Sequence, residues 1–197
     1  MGLVLASESA SRLNLLKSAG LDVAAQPSVI NEQSIKDKML AKNATTAEIA
    51  QYLAEQKALK VSALRKHDII IGADQILQCG GRLFDKAENI KEAETNLKKL
   101  RGKEHKLVTA VVLARNEAII WSYVAVPTLT MRKFSDQFLY SYIDNAGSAL
   151  TRSVGAYYLE ERGVQLFSKI DGDYHAILGL PLVPLLNKLR ELKLIDD

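Results

Sequence analysis

Three short stretches of this chain set hydroxyl, basic and acidic side chains where chemistry on a phosphate would need them. The first is "LASESASRLNLL", beginning at Leu5, in which Ser7, Ser9 and Ser11 separate a short apolar run from a helical pattern. A helix N-terminus exposes unpaired N–H groups and the positive end of its dipole, which suits an anion. Arg12, in the first turn, adds a guanidinium able to grip phosphate oxygens in pairs. The same residues also read as a plain serine cap, Ser9 or Ser11, with Arg12 on the surface. No Gly-Lys-Ser/Thr sequence occurs here, so a Walker-type phosphate loop is excluded. The second stretch surrounds Lys57. The row Ile49, Leu53, Lys57, Val61 and Leu64 keeps helical spacing, and Lys57 is its one charged member. A buried ammonium needs an anion beside it, and a lysine at the edge of the stripe can instead carry its charge out to water.

The third stretch is "DIIIGADQIL", where three consecutive isoleucines, as in a strand buried on both faces, run through Gly72 and Ala73 into Asp74 and Gln75. With Gly80-Gly81 as a two-residue turn, Cys79 stands opposite Arg82, and the ladder counts back to Gln75 opposite Lys86. Asp74 then lies one register step from Lys86. Facing residues share a side, so bringing Asp74, Gln75 and Lys86 together requires a bulge or twist near Gly72. Such a carboxylate can ligate Mg²⁺ or take a proton from water, and the lysine can neutralise charge on a phosphate. An Asp–Lys pair at a strand end, worth little if exposed, is the other reading. Glu32, in "SVINEQSIK", reads on its own as a solvent-exposed acid in a polar loop.

The elements that must position these groups follow from periodicity and punctuation. "GLVLAS" predicts a buried strand, and "SRLNLLKSAG" a helix stopped by Gly20. "TTAEIAQYLAEQKALKVSAL" predicts a long helix in which Thr45 and Glu48 have capping-box spacing. "DIIIGADQILQC" and "RLFDK" form a hairpin around Gly80-Gly81. Asn89 and Glu92 cap a helix running to Leu100. "HKLVTAVVLAR" and "AIIWSYVAVPTLTM" form a second hairpin turning at Asn116-Glu117. Ser135 starts a helix through Ile143, a polar loop follows, and "GVQLFSKI" is the last strand. A C-terminal helix begins at Pro181 or Pro184. Helices mixed with hairpins predict an α/β fold on a long mixed sheet rather than a doubly wound, all-parallel one.

Composition narrows the function classes. With 197 residues, 48% apolar and 25% charged, the chain is an ordinary globular one, able to form one sizeable domain or two small lobes. A formal charge of +3 without a basic run permits an anionic ligand and argues against a stable nucleic-acid complex. One cysteine, Cys79, excludes an intrachain disulfide and a cysteine-rich zinc site. His67, His105 and His175 include no helical pair at zinc spacing, and no Gly-x-Ser-x-Gly elbow marks a serine hydrolase. No apolar run approaches membrane-spanning length, and a cytoplasmic location is expected.

Taken in order, "LASESASRLNLL", "LAEQKA" around Lys57, "GADQIL" followed by "GGRLFDK", "LRGKEHKLVTAVVL" and "IDGDYHAILGLPL" resemble the successive motifs of the Maf family of nucleoside triphosphate pyrophosphatases. The resemblance runs over essentially the whole chain. It implies a single domain over 1–197, its two lobes set around a deep central cleft on an elongated mixed sheet flanked by helices. It implies hydrolysis of a nucleoside triphosphate to the monophosphate and pyrophosphate, clearing modified or surplus nucleotides. Carried over by position, Asp74 is the proton acceptor, and Ser7, Ser9 and Arg12 hold phosphates. Lys57 and Lys86 neutralise them, Glu32 joins Asp74 around Mg²⁺ or Mn²⁺, and the Gln75 amide orients water or substrate. A homodimer is an expectation of the same kind. The chain departs from the family pattern at Ser11, where a second arginine is common, and at Ala87, where proline is usual. It departs again at Arg152, Ser153 and Val154. Glu160 stands where pyrimidine-specific members have glutamine and resembles the branch acting on methylated guanosine triphosphate. The alternative is a non-catalytic nucleotide-binding regulator of cell division. A phosphatase removing the γ-phosphate is a further rival.

Overall fold

In a computed structural model, which describes residues 2–196, strands and helices alternate with hairpins as an open mixed sheet with helices packed on it. The described residues divide into two compact units. The first takes the chain up to Gln75, Thr109–Ala125 and the segment from Asp173 onward; the second takes Ile76–Val108 and Val126–Gly172.

In the first unit the strand β1 (Leu3–Leu5) lies between β2 (Val23–Ala25) and β3 (Ile69–Cys79), parallel to both. Side chains of β3 alternate between two faces, as strand geometry requires. Ile69, Ile71 and Ala73 join Leu5, Leu16, Val111 and Leu113 in a core that also takes in Leu185 and Leu189. Leu16 comes from α1 (Ala10–Ser18), and Leu185 and Leu189 from α7 (Leu182–Glu191). The opposite face, carrying Ile70, Gly72 and Asp74, meets α3 (Thr46–Ser62). That helix begins in the expected capping box: Thr45 N–H donates to Glu48 Oε2 at 2.7 Å, and Glu48 N–H donates to Thr45 Oγ1 at 3.3 Å. Its stripe of Ile49, Leu53, Lys57 and Val61 is buried as the spacing predicts. Leu64 falls past the end of the helix and is 69% exposed, so the stripe is one residue shorter than expected.

Gly72 sets how closely β3 and α3 approach. A Cβ there would collide with the Ala54 carbonyl oxygen and stand 2.8 Å from Ala58 Cβ and 2.9 Å from Val112 Cγ2. The glycine is therefore a packing requirement; β3 pairs regularly with β1 over Ile69–Ile71 and with β4 over Leu77–Cys79. The second hairpin pairs β5 (Glu104–Arg115) with β6 (Ala118–Ala125) around Asn116 and Glu117, both at positive φ. That is the backbone a tight two-residue turn of the twist-matched type needs. Glu117 N–H also donates to Ser62 Oγ at 2.9 Å, tying the turn to the end of α3.

In the second unit β3 continues into an antiparallel pair with β4 (Arg82–Phe84), closing at Gly80-Gly81 with Cys79 opposite Arg82 as expected. The ladder ends at Leu77 opposite Phe84, so the expected pairing of Gln75 with Lys86 does not form. β5 pairs with β7 (Thr128–Met131), and β7 with β8 (Phe167–Asp171), both antiparallel. The run expected as one long strand from Ala118 is thus two strands interrupted at Val126-Pro127, where proline supplies no N–H to a ladder. Two helices, α4 (Ile90–Leu100) and α5 (Asp136–Ala146), are capped by Asn89 and Ser135, as their sequences predict. A buried cluster joins His105, Tyr157 and Phe167, with His105 Nε2 2.8 Å from the Tyr157 hydroxyl. Burial without a charged partner holds the His105 imidazole neutral, its pKa lowered to about 4. The strand order of the whole sheet is β2-β1-β3-β5-β7-β8, with β4 on β3 and β6 on β5.

Candidate active site

The polar residues of the first unit converge where β3 leaves its core. Asp74 sits on the α3 face, 5% exposed, one step beyond Ala73. Lys57, about three helical turns into the capped α3, is 8% exposed, and its Nζ donates to Asp74 Oδ1 at 2.6 Å. The same ammonium lies 2.8 Å from Glu32 Oε1. Glu32 is not in a polar loop: it opens a helix, α2 (Glu32–Leu40), whose Asn31 cap accepts from Ser34 N–H at 2.9 Å. Asparagine followed by an acid and a polar run was the available signal for that helix. The result is a carboxylate–ammonium–carboxylate cluster drawn from β3, α3 and α2.

Burial pushes the Asp74 carboxyl above the ordinary carboxylate range, while the charges of Lys57 and Arg12 pull it down and Glu32 adds to the rise. A carboxylate so raised is a stronger base than an ordinary aspartate. Burial likewise lowers the Arg12 guanidinium from its ordinary value, opposed by Asp74 and Glu32, and arginine starts high enough to stay charged at neutral pH.

The cap reading of the serine stretch is met at one position. Ser9 is the cap of α1, its Oγ accepting from Arg12 N–H at 3.4 Å, and Ser11 lies inside the helix. Arg12 is not a solvated surface residue. Its Nε donates to the Gly179 carbonyl at 2.8 Å, and its Nη1 to Ser7 Oγ and to the Ala73 carbonyl, each at 3.1 Å. It thereby clamps the start of α1, the residue before Asp74 and the turn ahead of α7. Ser7 Oγ also accepts from Ser9 N–H at 3.2 Å.

Gln75 points to the other face of β3, with Thr109. Its Nε2 donates to Thr109 Oγ1 and to the Ala176 carbonyl, both at 2.9 Å, and to the Ile177 carbonyl at 3.2 Å. Thr109 in turn donates to the Ala176 carbonyl at 2.9 Å. Strand alternation carries Asp74 to the Lys57 side and Gln75 to the Thr109 side. The amide's donors are spent on the short helix α6 (Tyr174–Ile177), which anchors the segment before the C-terminal helix. Thr109 and the carbonyls of α6 gave no sequence signal, because their part is set by contacts 34 to 102 residues apart. Lys86 and Glu160 are exposed residues of the second unit, in the segment after β4 and in the turn before Arg162–Leu166.

Glu32 and Asp74 are the residues that could hold a hard cation. Among the described residues no group of three or more His, Cys, Asp or Glu side chains is placed to hold a metal ion. Nor is any helix of the described residues long and apolar enough to cross a membrane.

Comparisons with known proteins identify the family. The family model described as Maf-like protein matches residues 2–192. The chain is 50% identical over 186 residues to a nucleoside triphosphate pyrophosphatase of Caulobacter vibrioides, covering 94% of this chain and 93% of that one. It is 44% identical over 191 residues to a protein of the same name from Granulibacter bethesdensis, covering 97% of each. To a 7-methyl-GTP pyrophosphatase of Rhizobium meliloti it is 42% identical over 194 residues, covering 98% of each. A match of this extent, on a chain whose five ordered motifs already resembled it, makes the protein a member of the Maf-like family.

Proposed function

We propose that this chain hydrolyses nucleoside triphosphates to the monophosphate and pyrophosphate. The observation that carries the reading is the buried Asp74, raised in basicity and held at 2.6 Å by Lys57, in a chain whose relatives are named pyrophosphatases. Asp74 takes a proton from water; the water oxygen bonds to the α-phosphorus; the bridging P–O bond to the β-phosphate breaks and pyrophosphate leaves. Lys57 is the nearest ammonium able to neutralise charge developing on the phosphate oxygens. The α1 N-terminus, with Ser7 and Ser9, supplies donors for the triphosphate. Arg12, which also fixes that terminus against the Ala73 carbonyl, is assigned to the phosphates with them. By the family resemblance, Lys86 is a further candidate to neutralise phosphate charge.

A divalent cation, Mg²⁺ or Mn²⁺, belongs to this proposal. Glu32 and Asp74 offer hard oxygen donors, which suit such an ion when triphosphate oxygens and water complete its shell. When bound it would supply charge neutralisation on the polyphosphate. Glu160 is assigned to the base by its resemblance to the branch acting on methylated guanosine triphosphate; relatives of nearly equal identity carry the general name and the 7-methyl-GTP name. Action in the cytoplasm as a homodimer is part of the same proposal.

The test is a nucleotide panel with Mg²⁺ or Mn²⁺, scored for pyrophosphate against orthophosphate. Pyrophosphate from at least one nucleotide is the expected result. Orthophosphate alone would make the protein a γ-phosphatase, and tight triphosphate binding by calorimetry without turnover would make it a binding module. The pH dependence has a definite sign. Protonated Asp74 cannot accept a proton, so kcat/KM should rise with pH along an acid limb. Because the carboxyl lies above its ordinary value of 3.8, the midpoint of that limb should also lie above 3.8. In Lys57→Gln the residual activity should show the limb moved to still higher pH, since Lys57 is the largest influence holding the carboxyl down.

A further inference from the structure

The Lys57 ammonium occupies the space between Asp74 Oδ1 and Glu32 Oε1, at 2.6 Å and 2.8 Å. Those are the distances of two charge-assisted hydrogen bonds. Two carboxylates share one ammonium in this way, the Arg12 guanidinium acts on both from nearby, and the site offers no third acidic, histidine or cysteine ligand among the described residues. We propose that Lys57 is a built-in placeholder for the divalent cation, so that the free protein rejects free metal and takes it up as the metal–triphosphate complex. Resting on the reading of this site given above, the proposal deepens it by naming the form of the substrate.

The physical argument is one of competition. A divalent ion approaching alone must displace a buried ammonium, strip part of its own water, and settle for two protein carboxylates. An ion arriving on a triphosphate brings several phosphate oxygens with it. It also offers the displaced ammonium a new anionic partner, so Lys57 moves from carboxylate to phosphate without being left as an unpaired buried charge. α3 is capped and packed along its stripe, so the exchange calls only for rotation of the flexible lysine side chain.

Direct titration of nucleotide-free protein with Mn²⁺, followed by electron paramagnetic resonance of the unbound ion, tests this. The wild type should bind Mn²⁺ only weakly. Lys57→Met, which keeps the apolar stem and removes the charge, should bind at least about tenfold more tightly, because the ammonium between the two carboxylates is then gone. Lys57→Gln stands in should the methionine variant not fold. Adding Glu32→Gln to either should abolish the gain. Wild-type protein that binds free Mn²⁺ as tightly as the lysine variants overturns the proposal, and this measurement needs no turnover. Failure here with pyrophosphate release intact and lost in Asp74→Asn would remove only the placeholder. Retained release in Asp74→Asn would remove the reading of the site itself.

Discussion

Asp74→Asn should lower pyrophosphate release by about 10²–10⁴-fold, the range expected for loss of a positioned general base. The KM for nucleotide should change far less, because asparagine keeps the shape of the side chain and the phosphate donors of α1 are untouched. The variant should nonetheless be at least as stable as the wild type at neutral pH. In the fold the carboxyl is raised above its ordinary value by burial, even with Lys57 and Arg12 opposing. The native state therefore binds the proton more tightly than the unfolded chain does. Stability associated with this group is fully present below pH 3.8 and is lost as pH rises through the higher folded value. At neutral pH the ionised Asp74 is held at a cost, and the neutral amide removes it. Thermal melts of the two proteins should thus show the variant level with or above the wild type at pH 7.5, the advantage shrinking toward acid pH. A variant that is inactive and also strongly destabilised would mean that the carboxylate is a structural ion-pair partner rather than a strained functional group.

Gly72→Ala should be the most damaging single methyl group that can be added to the first unit. The new Cβ would meet the Ala54 carbonyl oxygen, a backbone atom inside a helix that cannot rotate away, together with Ala58 and Val112. Overpacking of this kind costs about 3 kcal/mol where the neighbours cannot yield. In a chain of this size that corresponds to a melting temperature roughly 6–12 °C lower. The useful comparison is Gly81→Ala. Its added Cβ meets nothing within 4 Å, and only its φ of +78° is unfavourable, so the cost should be about 1–2 kcal/mol. Activity should separate the two further. Forcing β3 away from α3 displaces Asp74 from Lys57, and a misplacement of about 1 Å at reacting groups can cost about 10²-fold in rate. Gly81→Ala, at the far hairpin, should leave turnover close to that of wild type.

Much of this was legible in the sequence because it is local. Thr45 and Glu48 announce the start of α3 through contacts three residues apart. Gly80-Gly81 and Asn116-Glu117 announce their turns through the backbone angles such turns demand. The buried stripe that carries Lys57 follows from the helical period alone, as does the placing of Asp74 after a buried strand. Family membership was legible for the same reason: ordered short motifs survive as strings of residues. Tertiary packing decided the rest. Whether Lys57 meets an anion or water depends on how closely α3 approaches β3, and that is set by the missing side chain of Gly72. Glu32, read alone as an exposed loop acid, becomes the second partner of Lys57 only because α2 packs beside α3. Gln75, expected beside Asp74, is carried to the opposite face by strand alternation and spends its amide on α6, about a hundred residues further on. Arg12 reads as a phosphate fork, and its contacts with the Ala73 and Gly179 carbonyls, distant in sequence, are visible only in the packed fold. Residue types and spacing thus determined which groups are present and which helix or strand carries them. Their pairing is a matter of a few ångströms between elements far apart in the chain, which only the packed fold specifies.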